Sequence, residues 1–378
     1  MNDITIDKTG WKKYRFGDVA IQTKEIVDMD NTELTRYVAG EHMNSEDIHI
    51  RRWGTVGDGY LGPAFIRRFH KGDILYGSRR TYLKKVAIAD FDGITANTTF
   101  VIKPKEELIE PVLLVHLMLS KSFTEYSVTN SRGSVNPYIN WKDIADYEFL
   151  LPPKPEQKRL AALLWAADEM LEKEERVLEK VEMYRTSVCD DFFKTIESSK
   201  PIKSFGNIFT GSTPSTKISE FWNGEYSFLT PTEINNTLEP QTASRFVTSE
   251  GLKASREISK GDVLVTCVGE IGRITIASQK CCANQQINII SPNNTIDSKY
   301  LFYCLKQYKN LLLKATTISV VPILVKSSFE NIQIPDFQTN KKESFVKWMD
   351  VIEQQIEQYS ILLEQSRQIK QELINKVF

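Results

Sequence analysis

Lys71-Gly72-Asp73-Ile74-Leu75 returns 189 residues later as Lys260-Gly261-Asp262-Val263-Leu264, and that recurrence decides the architecture of this 378-residue chain. Phe16-Gly17-Asp18-Val19 returns at the same offset as Phe205-Gly206-Asn207-Ile208. Ala96-Asn97 reappears as Ala283-Asn284 at 187, Pro137 as Pro322 at 185 and Pro152 as Pro335 at 183. An offset that shrinks in small steps is what short loop deletions leave between two related copies. The chain therefore reads as a unit of roughly 185 residues written twice, which implies a pseudo-two-fold molecule.

Each copy ends in a long helical segment. From Pro155, a favourable first-turn residue because its missing N–H would have no partner there, apolar or small residues run Leu160, Leu164, Ala167, Leu171, Leu178, Val181, Val188 and Phe192. With Glu174 and Arg185 in the two gaps, steps of four and three alternate strictly, which is a coiled-coil seam. The second copy gives Phe345, Met349, Ile352, Ile356, Tyr359, Leu363, Ser366, Lys370, Leu373 and Val377 on the same alternation. Helices of ~40 residues measure ~60 Å, too long for the interior of one small domain, so they are expected to pair with each other. A mixed domain leads into each helix, which makes the pairing antiparallel. Leu160, Leu164, Leu171, Leu178 and Val181 are the expected contacts on one helix, and Ile352, Ile356, Tyr359, Leu363 and Leu373 on the other.

The mixed segments read as α/β. Short β-rich runs at 73–76, 98–102, 262–266 and 286–290 are bounded by Gly, Pro and Asn, and apolar helical stretches follow at 111–119 and 299–313. The expected divisions are 1–150, a first mixed domain; 151–200, a central helix; 201–334, a second mixed domain; and 335–378, a C-terminal helix.

Composition narrows the function. A hydrophobic content of 41% is enough for real cores. No apolar run approaches the ~20 residues of a membrane span, and Met1-Asn2-Asp3-Ile4 has neither the basic start nor the apolar stretch of a signal peptide. A soluble cytoplasmic protein is expected, and the odd count of 5 cysteines, with Cys281 beside Cys282 and no C-x-x-C pair, fits reduced buried thiols. The net charge of -1 hides an uneven distribution: residues 51–90 hold nine basic residues, Arg51, Arg52, Arg67, Arg68, Lys71, Arg79, Arg80, Lys84 and Lys85, against three acidic ones. Such a stripe is the footprint of phosphate contact or, equally, a solvated charged face.

Strings that resemble catalytic motifs do not assemble a site. Gly57-Asp58-Gly59-Tyr60-Leu61-Gly62 has the spacing of a dinucleotide loop but lacks a strand before it and a helix after it, with Pro63 following at once. Asn136-Pro137-Tyr138 lacks the second Pro of the amino-methyltransferase string and any upstream cofactor loop. The acids and lysines after Pro335-Asp336 lie at the start of the heptads and would face solvent. His42, His49, His70 and His116 show no metal spacing and no evident Cys or Asp partner. No metal site is expected in the chain.

What recurs is suited to DNA. Asn97 in the first copy and Asn284, Gln285 and Gln286 in the second sit beside strands, where their amides could bind adenine bidentately. Arg79 and Arg80 follow the first Lys-Gly-Asp strand and Arg273 the second. The loop 130–138 offers Arg132, Asn136 and Tyr138, and the loop 211–217 offers Ser212, Thr213 and Lys217. Arg51, Arg52 and Lys84 complete the candidate DNA contacts.

Over essentially its whole length the chain resembles the specificity subunit of type I restriction-modification systems. The strings that carry the resemblance are Trp11-Lys12-Lys13-Tyr14-Arg15-Phe16-Gly17-Asp18-Val19, Gly211-Ser212-Thr213-Pro214, Phe221-Trp222-Asn223-Gly224, the two Lys-Gly-Asp strands, and Leu151-Pro152-Pro153-Lys154-Pro155-Glu156-Gln157-Lys158. The last is similar to the family's Pro-Pro-x-x-Glu-Gln string, from which the second copy departs as Ile334-Pro335-Asp336-Phe337-Gln338-Thr339-Asn340-Lys341. The first copy lacks a counterpart of the Gly-Ser-Thr-Pro loop. The resemblance implies two target-recognition domains, each reading one half of a split site on double-stranded DNA. It also implies paired helices that set the spacing and dock two modification (methyltransferase) subunits, with restriction (motor and nuclease) subunits beyond. S-adenosylmethionine, ATP and Mg would be cofactors of those partners, with none in this chain, which would be a non-catalytic reader. The alternatives are a self-contained DNA methyltransferase or nuclease with an unusual site, and a coiled-coil scaffold with no DNA role.

Overall fold

The computed structural model describes residues 6–29, 31–317 and 321–378. Met1-Asn2-Asp3-Ile4, on which the expectation about a leader rested, lies outside them. Contacts divide the chain into two compact units, Met1–Arg176 with Ser360–Phe378, and Val177–Tyr359. Among the described residues no helix is long and apolar enough to cross a membrane.

In the first unit the Lys-Gly-Asp string turns the chain into the middle of a four-stranded antiparallel sheet. Gly72 takes φ +94°, a conformation that costs glycine little. The Asp73 carboxylate accepts from the His70 amide at 2.8 Å, closing the turn. The sheet runs Ala20–Thr23, Thr99–Pro104, Ile74–Gly77, Val86–Ile88. A second sheet holds Gly54–Thr55, Arg36–Val38, Gly93–Ala96 and Phe65–Phe69, with Arg36–Val38 parallel to Gly93–Ala96. Lys12–Arg15 pairs with Glu148–Leu151, and helices Pro111–Leu119 and Lys121–Thr129 cover the core.

The second unit repeats the plan. Gly261 takes φ +93° and Asp262 accepts from the Ser259 amide at 2.9 Å. The main sheet runs Gly206–Thr210, Ile287–Pro292, Val263–Thr266, Ile274–Ile276. The smaller sheet has Cys281–Ala283 parallel to Trp222–Leu229 and Arg245–Val247 antiparallel to it. Ser198–Pro201 pairs with Gln333–Asp336.

The heptad segments are the helices Lys154–Lys194, 41 residues, and Thr339–Val377, 39 residues. Within each unit the portions present run antiparallel. In the first, Asp168 meets Lys370 and Glu174 meets Ser366; in the second, Arg185 meets Glu353 and the Phe192 and Phe345 rings stack at 4.1 Å. Leu160, Leu164, Leu171, Leu363 and Leu373 are buried in the first unit. In the second, Ile352 is buried, and Leu178, Val181, Ile356 and Tyr359 are half-buried.

The Pro-Pro-x-x-Glu-Gln string has a packing role. Gln157 is buried; its Oε1 accepts from the Glu110 amide, at the start of helix Pro111–Leu119, and its Nε2 donates to the Leu108 and Pro152 carbonyls. In the second unit the departed string hands the corresponding tie to Lys342, whose buried ammonium bridges Asp336 and Asp297, at 3.1 Å each. A neutral three-bond clamp is thus replaced by an ionic one.

Candidate nucleic-acid interface

In the first unit three loops close on one another beyond the strand Ile74–Gly77. The Ser78 amide donates to the Thr98 carbonyl at 3.1 Å, Ile139 donates to Ser78 at 2.9 Å, and Arg80 donates to Pro137 at 2.7 Å. Arg132 and Tyr138 exchange both backbone bonds, at 2.8 and 2.9 Å, so loop 132–138 is a closed hairpin rather than a loose turn. Arg79, Arg80, Asn97, Arg132, Asn136 and Tyr138 are thereby brought to one exposed surface with Tyr82 and Val135. Val135, 90% exposed at the hairpin tip, and Tyr82 carried no sequence signal.

The same closure is built in the second unit. Cys267 donates to Gln286 at 2.8 Å, Leu324 to Cys267 at 2.9 Å, Gly269 to Pro322 at 3.1 Å and Thr317 to Ile323 at 2.9 Å. Asn284 and Gln286 bond each other, Nδ2 to Oε1 at 3.0 Å and backbone N to Oδ1 at 3.0 Å, which shapes the turn and leaves Gln285 exposed. The Gly211-Ser212-Thr213-Pro214 loop lies on that turn. Thr213 Oγ1 donates to Gln285 Oε1 at 2.8 Å, and Ser212 Oγ accepts from the Arg256 amide at 2.9 Å. A Cβ on Gly211 would stand 2.2 Å from the Asn284 carbonyl oxygen, so only glycine permits this approach. Lys217 is exposed farther along the loop.

Several expected contacts are held elsewhere, and the charged stripe is not one phosphate track. Arg51 pairs with Asp47 at 2.6 Å and with Glu172 at 3.1 Å, fastening its loop to the central helix. Arg52 donates to the Glu41 carbonyl and Asn44 Oδ1, Arg68 faces Glu25 and Asp92, and Lys84 pairs with Glu46. Arg273 is largely buried between Glu270 and Asn235. Intramolecular pairing, invisible in a charge count, removes these cations from the free surface. Arg132 also has a partner, Asp143 at 3.6 Å, but its side chain stays 63% exposed; the side chains of Lys71, Arg79 and Arg80 form no such pair among the described residues.

The histidines also have partners that spacing did not reveal. His49 Nε2 donates to Asp168 at 2.5 Å, and its hydrogen bond to that carboxylate holds its pKa above the usual imidazole value. His70 lies between Glu25 and Asp92, at 2.9 and 3.2 Å. His116 is buried with Nδ1 donating to the Val112 carbonyl, and burial pushes its pKa down to about 4. Burial raises the thiols of Cys281 and Cys304 to about 12, which keeps them protonated and unreactive. No cluster of three or more metal-ligating side chains forms among the described residues.

The model of the type I restriction modification DNA specificity domain matches residues 8–183 and again 196–365. The chain is 20% identical over 381 aligned residues to the type I restriction enzyme HindI specificity subunit of Haemophilus influenzae, covering 79% of this chain and 82% of that one. It is 32% identical over 142 residues to the MjaIX specificity subunit of Methanocaldococcus jannaschii, a match to 36% of this chain and only 33% of that protein. The solved S subunit of a type I restriction-modification system from M. genitalium shares the fold, with a TM-score of 0.61 at 15% identity over 100% of this chain and 97% of that one. With the domain matched twice over most of its length, and with the same loop closure built in each copy, the chain belongs to the type I restriction modification DNA specificity family.

Proposed function

We propose that this chain is the DNA-reading subunit of a type I restriction-modification complex, working in the cytoplasm on double-stranded DNA and leaving the chemistry to partner subunits. The observation that carries the reading is the duplicated three-loop surface. Each unit offers a rigid polar patch, and two patches of one design but different side chains suit two different half-sites of a split sequence. In the first, Arg79, Arg80, Asn97, Arg132, Asn136 and Tyr138 would meet the duplex. In the second, Ser212, Thr213, Lys217 and Gln285 would do so, with Asn284 and Gln286 shaping the turn. Arginine and amide side chains are the common readers of purine edges in the major groove.

The paired helices would set the spacer between the half-sites and dock two modification subunits. Trp165 and Trp348 support docking: they stand thirteen residues after the matching prolines Pro152 and Pro335 that precede their helices, and each remains exposed, at 37% and 56%. S-adenosylmethionine, ATP and Mg would belong to the partners. The test is selection of bound fragments from a pool of randomised duplex DNA by the assembled complex. A bipartite consensus with a fixed gap is expected, and enrichment of a single continuous motif or of none would overturn the reading.

A further inference from the structure

Arg80 has backbone angles φ +50° and ψ +56°, the left-handed region, where the Cβ of an L-residue crowds the following carbonyl oxygen. The second unit supplies an internal comparison. Its residue in the same hydrogen-bonded place, donating to Pro322 as Arg80 donates to Pro137, is Gly269, with φ +74°. Glycine adopts this conformation without steric penalty, so one copy satisfies the fold at low cost and the other keeps a long cationic side chain against it. Nothing inside the unit accounts for that side chain. Arg80 is exposed, and its guanidinium makes no hydrogen bond or ion pair among the described residues. Lys84, also left-handed at φ +47°, does have an internal reason, its pair with Glu46. Strain retained at a residue without an internal partner points to a function outside the molecule.

We infer that Arg80 reads a base in the first half-site, as the bidentate partner of a guanine, and that the second unit, with Gly269 in that place, makes no counterpart contact. The inference rests on the DNA-reading function proposed above and makes it asymmetric. The 3₁₀ turn Thr81–Leu83 that follows, and the bond from Arg80 to Pro137 on the hairpin, fix the Cα from which the side chain extends. A side chain on a fixed stem loses less freedom on binding, which favours a directional base contact over a loose phosphate contact. Arginine on guanine O6 and N7 is the commonest specific contact of this kind.

The experiment compares wild type, Arg80→Gly and Arg80→Lys, each assembled in the full complex, by sequencing fragments bound from randomised duplex DNA at two salt concentrations. Glycine suits the backbone, so the thermal midpoint of Arg80→Gly should not fall below that of wild type, which excludes misfolding as the cause of any loss. Arg80→Gly should lose preference at one guanine of the first half-site, by about 5- to 150-fold, and Arg80→Lys, which keeps donors but not the planar fork, should lose part of it, with the second half-site intact in both. Arg80→Lys should keep the wild-type salt dependence. Uniform weakening across all sequences with a shallower salt slope in Arg80→Gly would make Arg80 a phosphate contact and overturn the inference, as would an unchanged consensus. A wild-type complex that selects no bipartite consensus would instead overturn the DNA-reading function itself.

Discussion

The ammonium of Lys370 and the carboxylate of Asp168 meet in the buried interior of the first unit, each side chain less than a tenth exposed. Lys370 lies on the apolar seam of its helix, and Asp168 comes from the central helix. The carboxylate also accepts from His49, on a loop of the sheet domain. One buried anion therefore ties two helices and the sheet domain of this unit together. Burial raises the Asp168 pKa, but bonds from His49 and Lys370 outweigh it and hold the group at about 2.

Breaking that pair should be costly. Lys370→Met leaves a buried carboxylate with only His49, and loss of one partner from a buried ion pair costs about 3–5 kcal/mol. The double variant Asp168→Leu/Lys370→Met removes both charges and should recover most of that loss. Urea unfolding at neutral pH measures both, and a single-variant loss below about 1 kcal/mol would show that the pair behaves as a solvated one.

The same cluster gives a pH dependence with opposed signs. His49 is raised by its bond to Asp168, so its stabilisation is complete below the unfolded value of about 6.5 and is lost as pH rises through the folded value. His116 is depressed to about 4 by burial; the unfolded chain then binds the extra proton, and stability is lost as pH falls below about 6.5. Between pH 8 and 6 the gap in thermal midpoint between wild type and His49→Asn should widen as pH falls, whereas His116→Leu should gain on wild type. A gap for His49→Asn that stays constant across this range would remove His49 from the network.

The surface proposed for the second half-site can be loosened without touching that of the first. In Gly211→Ala the new methyl meets the Asn284 carbonyl oxygen at 2.2 Å and that of Ala283 at 2.5 Å, so the loop must lift and Thr213 leaves Gln285. Base preference should relax in the second half-site alone. Gln285→Ala should relax one position by about 1–3 kcal/mol with the thermal midpoint unchanged. Relaxation of the first half-site by either variant would contradict separate reading surfaces.

The two-copy plan was legible because backbone needs leave marks in sequence. The turn into each central strand requires a positive-φ glycine and a carboxylate three residues past the amide it accepts from, which is the Lys-Gly-Asp string. The four-and-three alternation of apolar residues similarly reported the helix pair. Asp168 was missed because it stands one residue past Ala167 of the seam and reads as an ordinary surface acid until Lys370 is seen opposite. The charged stripe misled for a related reason: Arg51 and Arg52 look free in a charge count, and only the fold brings Asp47, Glu172 and Asn44 to them. Arg80 sat in the candidate set as one cation among many. Its strain became visible only when the backbone angle was set beside that of Gly269.

The most direct test of two units that read separately is a map of methylated bases in cells carrying the complex, before and after residues 1–150 are replaced by the corresponding segment of a family member with a different motif. One half of the bipartite motif should change while the other half and its methylated base stay in place. Simultaneous change of both halves, or retention of both, would contradict independent reading by the two units.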